Sequence, residues 1–354
     1  MRTNDGKNIE TINARIKSAR QAIFSLLGAG LRGYNGTGPE ICVLQYKTYV
    51  LPVMLYGLEA LVLSVTEHQA LDKFHRQNLR LIQHLPNSTA IPAIHLLSGI
   101  LPASALIDIR ILTLFHKIIA LETPSQPSVF MKQFIERQLA MKNHESTSWA
   151  AHVKELLRKY KLPPVHNLLA DPPGKSAWKS KLNKAVHASW INALKEEAEE
   201  MSSLCYLNIS ACSTNTVHPV WTGLSCPLSI KKATIKALLL TQRYPLSTCR
   251  VAGARQREKC PLCNEDPEDT IHFLLHCPTL ATTRAPYMHK IMDMCRKLKI
   301  SVDTDNLTKL ILDSTHLPKA VPNHEELCRN FIFKMHHKRS VQLGGVSAYR
   351  LSHC

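Results

Sequence analysis

Three cysteines and two histidines stand close together near residue 270, in the segment CPLCNEDPEDTIHFLLHC. Cys260 and Cys263 are separated by two residues, a spacing at which two thiolates on one tight turn reach a single ion about 2.3 Å away. His272 follows on a short helix predicted over 268–277. Sulfur and nitrogen ligands in a closed set of four are typical of structural zinc sites. The pattern predicts a structural Zn²⁺ at these three residues and one further ligand.

The residues leave two alternatives for the fourth ligand, His276 and Cys277. On a regular helix His272 and His276 share a face because they are four positions apart, which favours the histidine. A third sulfur suits zinc, and Pro278 moves the residue before it away from helical geometry, which favours Cys277. The choice therefore depends on whether the helix continues through residue 277.

The whole chain carries a large positive charge, with 44 Lys and Arg against 27 Asp and Glu among 354 residues and a net charge of +17. Such an excess indicates a polyanionic partner, either nucleic acid or an anionic membrane surface. The most apolar run, 51–65, is shorter than the ~20 residues of a spanning helix and contains Glu59. We therefore expect no membrane-spanning role. The polar N-terminus and an odd number of mostly scattered cysteines favour an intracellular protein.

The densest basic segment is 154–184, which contains eight lysines and arginines but only two acidic residues, Glu155 and Asp171. One interpretation is a solvated helix face; the other, which we favour for the cluster as a whole, is contact with nucleic-acid phosphates. The predicted nucleic-acid-binding residues are Lys154, Arg158, Lys159, Lys161, Lys175, Lys179, Lys181 and Lys184. Tryptophans at 149, 178, 190 and 221 could stack on bases, but we expect them to anchor the core.

Helices must position both features, since apolar residues recur at helical spacing and strand alternation is not evident. We predict a mainly α fold with helices near 9–27, 40–63, 66–82, 102–121, 149–160, 176–200 and 230–244. The second is expected to bend or restart at Pro52, and Thr66 with Gln69 is predicted to form the capping box of the third. The chain is divided into a helical domain (1–122), a basic helical connector with loops (123–245), a zinc-binding module (246–295) and a helical tail (296–354).

Four stretches, in this order, resemble the thumb region that follows the polymerase palm in reverse transcriptases of non-LTR (LINE-like) retrotransposons. They are ARIKSARQAIFSLLGAGLRGYNG (14–36), YKTYVLPVMLYGLEAL (46–61), LDKFHRQNLRLIQHLP (71–86) and LLSGILPASALIDIRILTLFHKI (96–118). The cysteine–histidine segment resembles the C-x2-C-x8-H-x4-C zinc-binding segment near the C-terminus of those proteins. The resemblance implies a thumb-like domain at 1–122, Cys277 as the fourth ligand, and RNA or DNA as the partner.

The sequence departs from that family at the catalytic site. The family's polymerase holds two divalent metals with a Tyr-x-Asp-Asp turn and a further palm aspartate, and this chain contains no Asp-Asp pair. Asp303, Asp305 and Asp313 follow the zinc segment without the family endonuclease's Pro-Asp pair, and we assign them no catalytic role. We expect a nucleic-acid-binding remnant that lacks the polymerase palm and the endonuclease site, not an enzyme.

Two other functions are compatible with the same residues. The zinc module could form a protein-docking surface in a host interaction protein, or the chain could be an accessory part of a reverse transcriptase whose palm lies upstream. Salt dependence separates the first from nucleic-acid binding, because phosphate contacts weaken steeply with salt and apolar docking does not. A palm encoded in frame upstream of Met1 would indicate the second.

Overall fold

The computed structural model describes residues 8–28, 30, 36–120, 126–140, 148–247 and 259–344. These residues are mostly helical and contain no β-strand, which confirms the mainly α prediction. The α-helices are α1 (Ile9–Gly28), α2 (Pro39–Gln45), α3 (Leu51–Leu55), α4 (Val65–Ile82), α5 (Ile91–Ser98), α6 (Ala103–Ile119), α7 (Gln126–Ala140), α8 (Trp149–Lys159), α9 (Val165–Ala170), α10 (Lys175–Glu199), α11 (Pro227–Leu240), α12 (Ala281–Leu298), α13 (Thr304–Leu312) and α14 (His324–Gln342).

The helix predicted over 40–63 is divided into shorter pieces. A π-helical turn at Tyr46–Val50 follows α2. The α-helix then restarts as α3 with Pro52 in its first turn, a position that tolerates proline. The helix ends at Leu55 because Gly57 then turns the chain with a φ of +77°. The restart at proline is confirmed, and the predicted end at residue 63 is wrong.

The capping box of α4 lies two residues before the predicted one. The Ser64 N–H donates to Glu67 Oε2 (2.7 Å), and the Glu67 N–H donates to Ser64 Oγ (3.3 Å). The other oxygen of Glu67 accepts the Asn8 N–H at 2.6 Å, which joins the start of α4 to the start of α1. Ser64 and Glu67 match the S-x-x-E pattern fully, so Thr66, predicted as the cap, lies inside the helix.

The chain forms two compact units, each assembled from separate stretches of sequence. Unit 1 comprises Met1–Ala29, Leu44–Gln77 and Leu101–Leu194, and unit 2 comprises Gly30–Val43, Asn78–Ile100 and Lys195–Cys354. The four domains predicted from the sequence, with boundaries after residues 122, 245 and 295, stay a prediction. The predicted boundary after residue 122 depends on the Pro/Ser-rich run TPSQPS (123–128), which lies partly outside the described residues; from Gln126 the chain forms α7.

Unit 1 packs around α6, whose inner face is buried and which contacts α8. Trp178 of α10 is 2% exposed and donates its indole N–H to the Leu112 carbonyl of α6 (3.2 Å). The Asp108 carboxylate, also on α6, is buried and accepts hydrogen bonds from the Tyr160 hydroxyl and from Lys159 Nζ. These contacts attach the basic helices α8 and α10 to the apolar core of unit 1.

Unit 2 packs around α11, which is buried along most of its length and lies against α14. Lys236 of α11 has a fully buried side chain, and its ammonium group lies 2.7 Å from the Glu325 carboxylate of α14. Trp221 is fully buried and donates its indole N–H to Gln83 Oε1 (3.1 Å). The Lys236–Glu325 pair therefore joins α14 to α11, and the Trp221–Gln83 hydrogen bond joins two other segments of unit 2.

In the described part of the chain, no single helix could span a membrane. No helix there combines sufficient length with sufficient apolar character, although the consecutive helices α5 and α6 meet both criteria when they are taken together.

Candidate metal centre and basic surface

Four side chains converge in unit 2 and form a group that could hold a metal ion. One ligand atom from each of Cys260, Cys263, His272 and Cys277 lies within 4.8 Å of the others. Cys260 Sγ is 3.9 Å from Cys277 Sγ, and Cys263 Sγ is 3.4 Å from His272 Nε2. A tetrahedral zinc with Zn–S bonds of about 2.3 Å has S···S edges of about 3.8 Å and S···N edges of about 3.6 Å. Both distances fit such an ion.

A tight turn brings Cys260 and Cys263 together. The Asn264 N–H donates to the Cys260 carbonyl (2.8 Å), and Asn264 has a left-handed backbone with a φ of +58°. The Cys260 N–H in turn donates to the Asp266 carbonyl at 2.8 Å, and Lys259 forms a short antiparallel bridge with Pro267. The turn thus closes on itself, so its two thiols face one point, as the two-residue spacing predicts.

A π-helical turn at His272–His276 decides which residue joins His272. The Cys277 N–H donates to the His272 carbonyl (2.8 Å), a bond that spans five residues instead of four. The extra residue in the turn brings Cys277 above His272, and Cys277 is fully buried while His276 is exposed. Cys277 then leaves helical geometry with a ψ of +116°, as expected before Pro278.

Two aspartates lie next to His272. The backbone N–H of His272 donates to Asp269 Oδ1 (2.7 Å), and the imidazole Nδ1 lies 3.9 Å from the Asp266 carboxylate. Nε2 is the nitrogen that faces Cys263. The Asp266 carboxylate is largely exposed and is too far from Nδ1 for a hydrogen bond.

Burial shapes the protonation of the thiols. It raises the pKa of Cys260 to about 12 and also raises the pKa of Cys277, so both are neutral thiols at pH 7 when no cation is bound. A divalent metal would displace these protons, and its affinity therefore rises with pH. The Arg284 guanidinium donates to the Cys277 carbonyl at 2.6 Å and so fixes the last ligand against the start of α12.

The eight predicted nucleic-acid-binding residues all lie in unit 1, and all eight are exposed. Three are on α8, four are on α10, and Lys161 lies in the turn that follows α8. Lys159 is engaged inside the unit, since its ammonium group pairs with Asp108 (2.9 Å) and lies 5.2 Å from the ring centre of Trp190. The other seven form no ion pair with any described residue.

The tryptophans use their indole N–H groups inside the fold. Trp178 and Trp221 are buried, and Trp149 and Trp190 are half-buried. Trp149 donates to the Glu59 carbonyl and Trp178 to the Leu112 carbonyl. Trp190 donates to the Tyr160 hydroxyl, and Trp221 donates to Gln83 Oε1. Each tryptophan is therefore joined by a hydrogen bond to another part of its own unit, as expected for a residue that anchors the core.

The three aspartates after the metal segment have structural partners. Asp303 caps α13 through the Asn306 N–H (2.8 Å), and Asp305 pairs with Lys309 one turn later (2.6 Å). Asp313 is fully buried, with its carboxylate 3.3 Å from His218 Nε2. Each of the three aspartates therefore has a partner within unit 2.

The sequence reasoning missed Glu268 and Arg339, which form a buried ion pair at the metal loop. The signal in the sequence is weak, because the two residues lie 71 positions apart and neither is a fixed position of the cysteine–histidine motif. Comparison with known proteins gives no match: no family model fits the chain, and no curated protein or solved structure is similar to it.

Proposed function

We propose that the chain binds RNA or DNA through the basic cluster at 154–184. The observation that carries this proposal is the exposure of all eight cations in one segment of unit 1, where only Lys159 pairs with a described acid. A net charge of +17 gives the whole molecule the same preference for a polyanion. Lysine and arginine side chains bind phosphate oxygens and release the counterions condensed on the nucleic acid.

We further propose that the metal at Cys260, Cys263, His272 and Cys277 is a structural Zn²⁺. Three sulfurs and one imidazole nitrogen are the donor set that zinc prefers, and their short spacings suit a tetrahedral ion. Four protein ligands leave no position open for water or substrate, so the ion would supply folding energy instead of chemistry.

The resemblance to non-LTR retrotransposon reverse transcriptases supports the same function. It rests on the four thumb-like stretches and the C-x2-C-x8-H-x4-C segment, and we propose on that basis that the chain derives from such a protein.

The missing Asp-Asp pair predicts no template-dependent extension of a primer with Mg²⁺ or Mn²⁺. Extension that survives stringent purification would contradict this proposal.

Salt titration tests the basic cluster directly. The zinc-loaded chain is titrated against RNA and duplex DNA at several salt concentrations, beside a variant with Lys175, Lys179, Lys181 and Lys184 changed to Gln. Each lost phosphate contact should lower the log–log salt slope by ~0.7–0.9 and weaken all sequences alike. The two ligands also show whether RNA or DNA is preferred.

A control with the same change of charge separates a local site from a general effect. Exposed lysines of unit 2 at 290, 297, 299 and 319, changed to Gln, remove the same four charges elsewhere. We expect this control to retain most of the salt slope. Equal losses in both variants, or none in the first, would show that the cluster at 154–184 is a solvated face.

A further inference from the structure

Glu268 is a buried acid inside the metal loop that is not one of the four ligands. It lies between Cys263 and His272 and is 0% exposed. Its Oε1 accepts from Arg339 Nε at 2.6 Å, and its Oε2 accepts from Arg339 Nη2 at 2.8 Å. Arg339 belongs to α14 and is 5% exposed. A two-pronged pair of this kind is the strongest arrangement that an arginine and a carboxylate form.

Further contacts extend this pair into the segment after α11. Glu268 Oε2 also accepts from the N–H and the hydroxyl of Ser247, both at 3.1 Å, and Arg339 Nη2 donates to the Pro245 carbonyl (3.3 Å). The carboxylate and the guanidinium therefore both have further partners. Such satisfaction is what allows an ion pair to be stable inside a protein.

Aromatic contacts hold the other end of the metal loop against the same two elements. Tyr244 stacks on Phe273 with ring centres 5.5 Å apart, and Phe273 directly follows His272. The Tyr244 hydroxyl is 2.8 Å from His336 Nδ1 on α14. The Arg339 guanidinium lies 5.9 Å from the centre of the same tyrosine ring. The loop is thus joined to α14 directly at position 268 and through Tyr244 at position 273.

We propose that Arg339 is a positioning residue of the metal centre, so that α14 and the metal loop fold as one element. This inference rests on the proposed zinc site and goes beyond it. Zinc binds tightly only where its ligands are assembled, and the pair fixes the backbone between Cys263 and His272. Because coupling is reciprocal, zinc in turn stabilises the docking of the C-terminal half of α14.

Arg339→Gln in the full chain tests the proposal. The variant removes the two-pronged contact between Arg339 and the buried Glu268 carboxylate, so the metal loop should lose its ion pair with α14. We expect zinc affinity, measured by competition with a chromophoric chelator, to fall at least about tenfold. The thiolate-to-cobalt absorption of the Co²⁺-loaded variant should keep its shape, because the ligands are unchanged. Arg339→Lys, which retains the charge but not the two-pronged contact, should recover part of the affinity.

Arg329 provides the matched control. It is on the same helix, is also buried, pairs with Glu325 (3.2 Å), and donates to the Pro219 and Thr222 carbonyls, none of which belongs to the metal loop. Arg329→Gln should lower the thermal midpoint and leave zinc affinity within about twofold of the original. This difference distinguishes positioning of the metal from general stabilisation of α14.

A milder variant covers the case in which Arg339→Gln does not fold. Ser247→Ala removes only one hydrogen bond to Glu268 and should weaken zinc binding by a few fold. The proposal is overturned if both arginine variants lower the midpoint alike while zinc affinity stays unchanged, or if Ser247→Ala folds and binds zinc as tightly as the original. If the original chain binds no zinc, the proposed metal centre itself fails, and this inference fails with it.

Discussion

Asn264 adopts a left-handed backbone directly after Cys263, a conformation that asparagine tolerates better than most residues. The turn it forms faces two thiols toward one point. At the other end of the loop, one extra residue in a helical turn replaces His276 by Cys277 as the partner of His272. The ligand set thus depends on two local backbone features, each only a few residues long.

The identity of the fourth ligand can be tested with two variants. Cys277→Ser should release zinc and make the segment around 260–280 sensitive to protease, because metal binding is largely the folding energy of so small a loop. His276→Ala should retain one zinc per chain, since His276 is exposed. Zinc content measured by atomic absorption, with limited proteolysis alongside, decides between them. Loss of metal from the histidine variant alone would assign the site to His276.

A second prediction at this scale concerns Asp313. Burial alone would raise the pKa of its carboxyl, but His218 and hydrogen bonds from Asn208 and Thr315 hold the pKa below its usual range. Because the folded pKa lies below the unfolded value of about 3.9, the stabilisation is complete above that pH and is lost as the pH falls towards the folded pKa. Asp313→Asn should therefore lower the free energy of unfolding by about 2–3 kcal/mol at pH 7.

Urea unfolding at pH 7 and at pH 3 checks this expectation, and the difference between Asp313→Asn and the original should shrink at the lower pH. Asp305 is the control, because its contact with Lys309 is exposed. Asp305→Asn should change the free energy of unfolding by less than about 0.5 kcal/mol. A similar small effect for both aspartates would show that the buried contacts of Asp313 contribute little.

At the scale of elements, hydrophobic periodicity predicted six helices near their observed positions, namely α1, α4, α6, α8, α10 and α11. Spacing did not predict the π-helical turns, because they depend on contacts with the rest of the fold. It also missed α7 (Gln126–Ala140), whose start looked like a Pro/Ser break because proline is accepted in a first helical turn. Local patterns specify that a helix forms; packing decides how it bends and where it ends.

The start of α4 gives a test at the same scale. Ser64→Ala removes the hydroxyl that accepts the Glu67 N–H, and loss of such a cap costs about 1 kcal/mol of stability. Thr66→Ala, two residues later and already inside the helix, should cost less than half of that. Urea denaturation of both variants measures the difference. A larger loss for Thr66→Ala would restore the cap predicted from the sequence alone.

At the scale of the whole molecule, the chain forms two units from interleaved segments, so order along the sequence is a poor guide to what folds together. The metal loop looked like a separate module because its ligands lie within 18 residues of sequence. Its buried contacts are with α14 and with residues 244–247, which periodicity does not connect to it. Long-range pairs of this kind have no local signature, which is why the ligands were predictable and their support was not.

The division into two units leads to a last prediction. The basic cluster ends before residue 194 and belongs to unit 1, whereas all four metal ligands belong to unit 2. Each unit has its own buried core, so removing zinc should destabilise unit 2 and leave unit 1 folded. After chelation, hydrogen exchange should accelerate in α14 and at 260–280, and exchange in α6 and in residues 175–194 of α10 should stay unchanged.

The salt slope of nucleic-acid binding should also survive chelation, because the phosphate contacts come from α8 and α10. The control is the chain with Cys277→Ser, which should show the same exchange pattern without any chelator. If chelation flattens the salt slope as strongly as the four-lysine variant does, the metal-bearing unit supplies phosphate contacts of its own. Nucleic-acid binding would then depend on the zinc-dependent fold of unit 2 as well as on the cluster at 154–184.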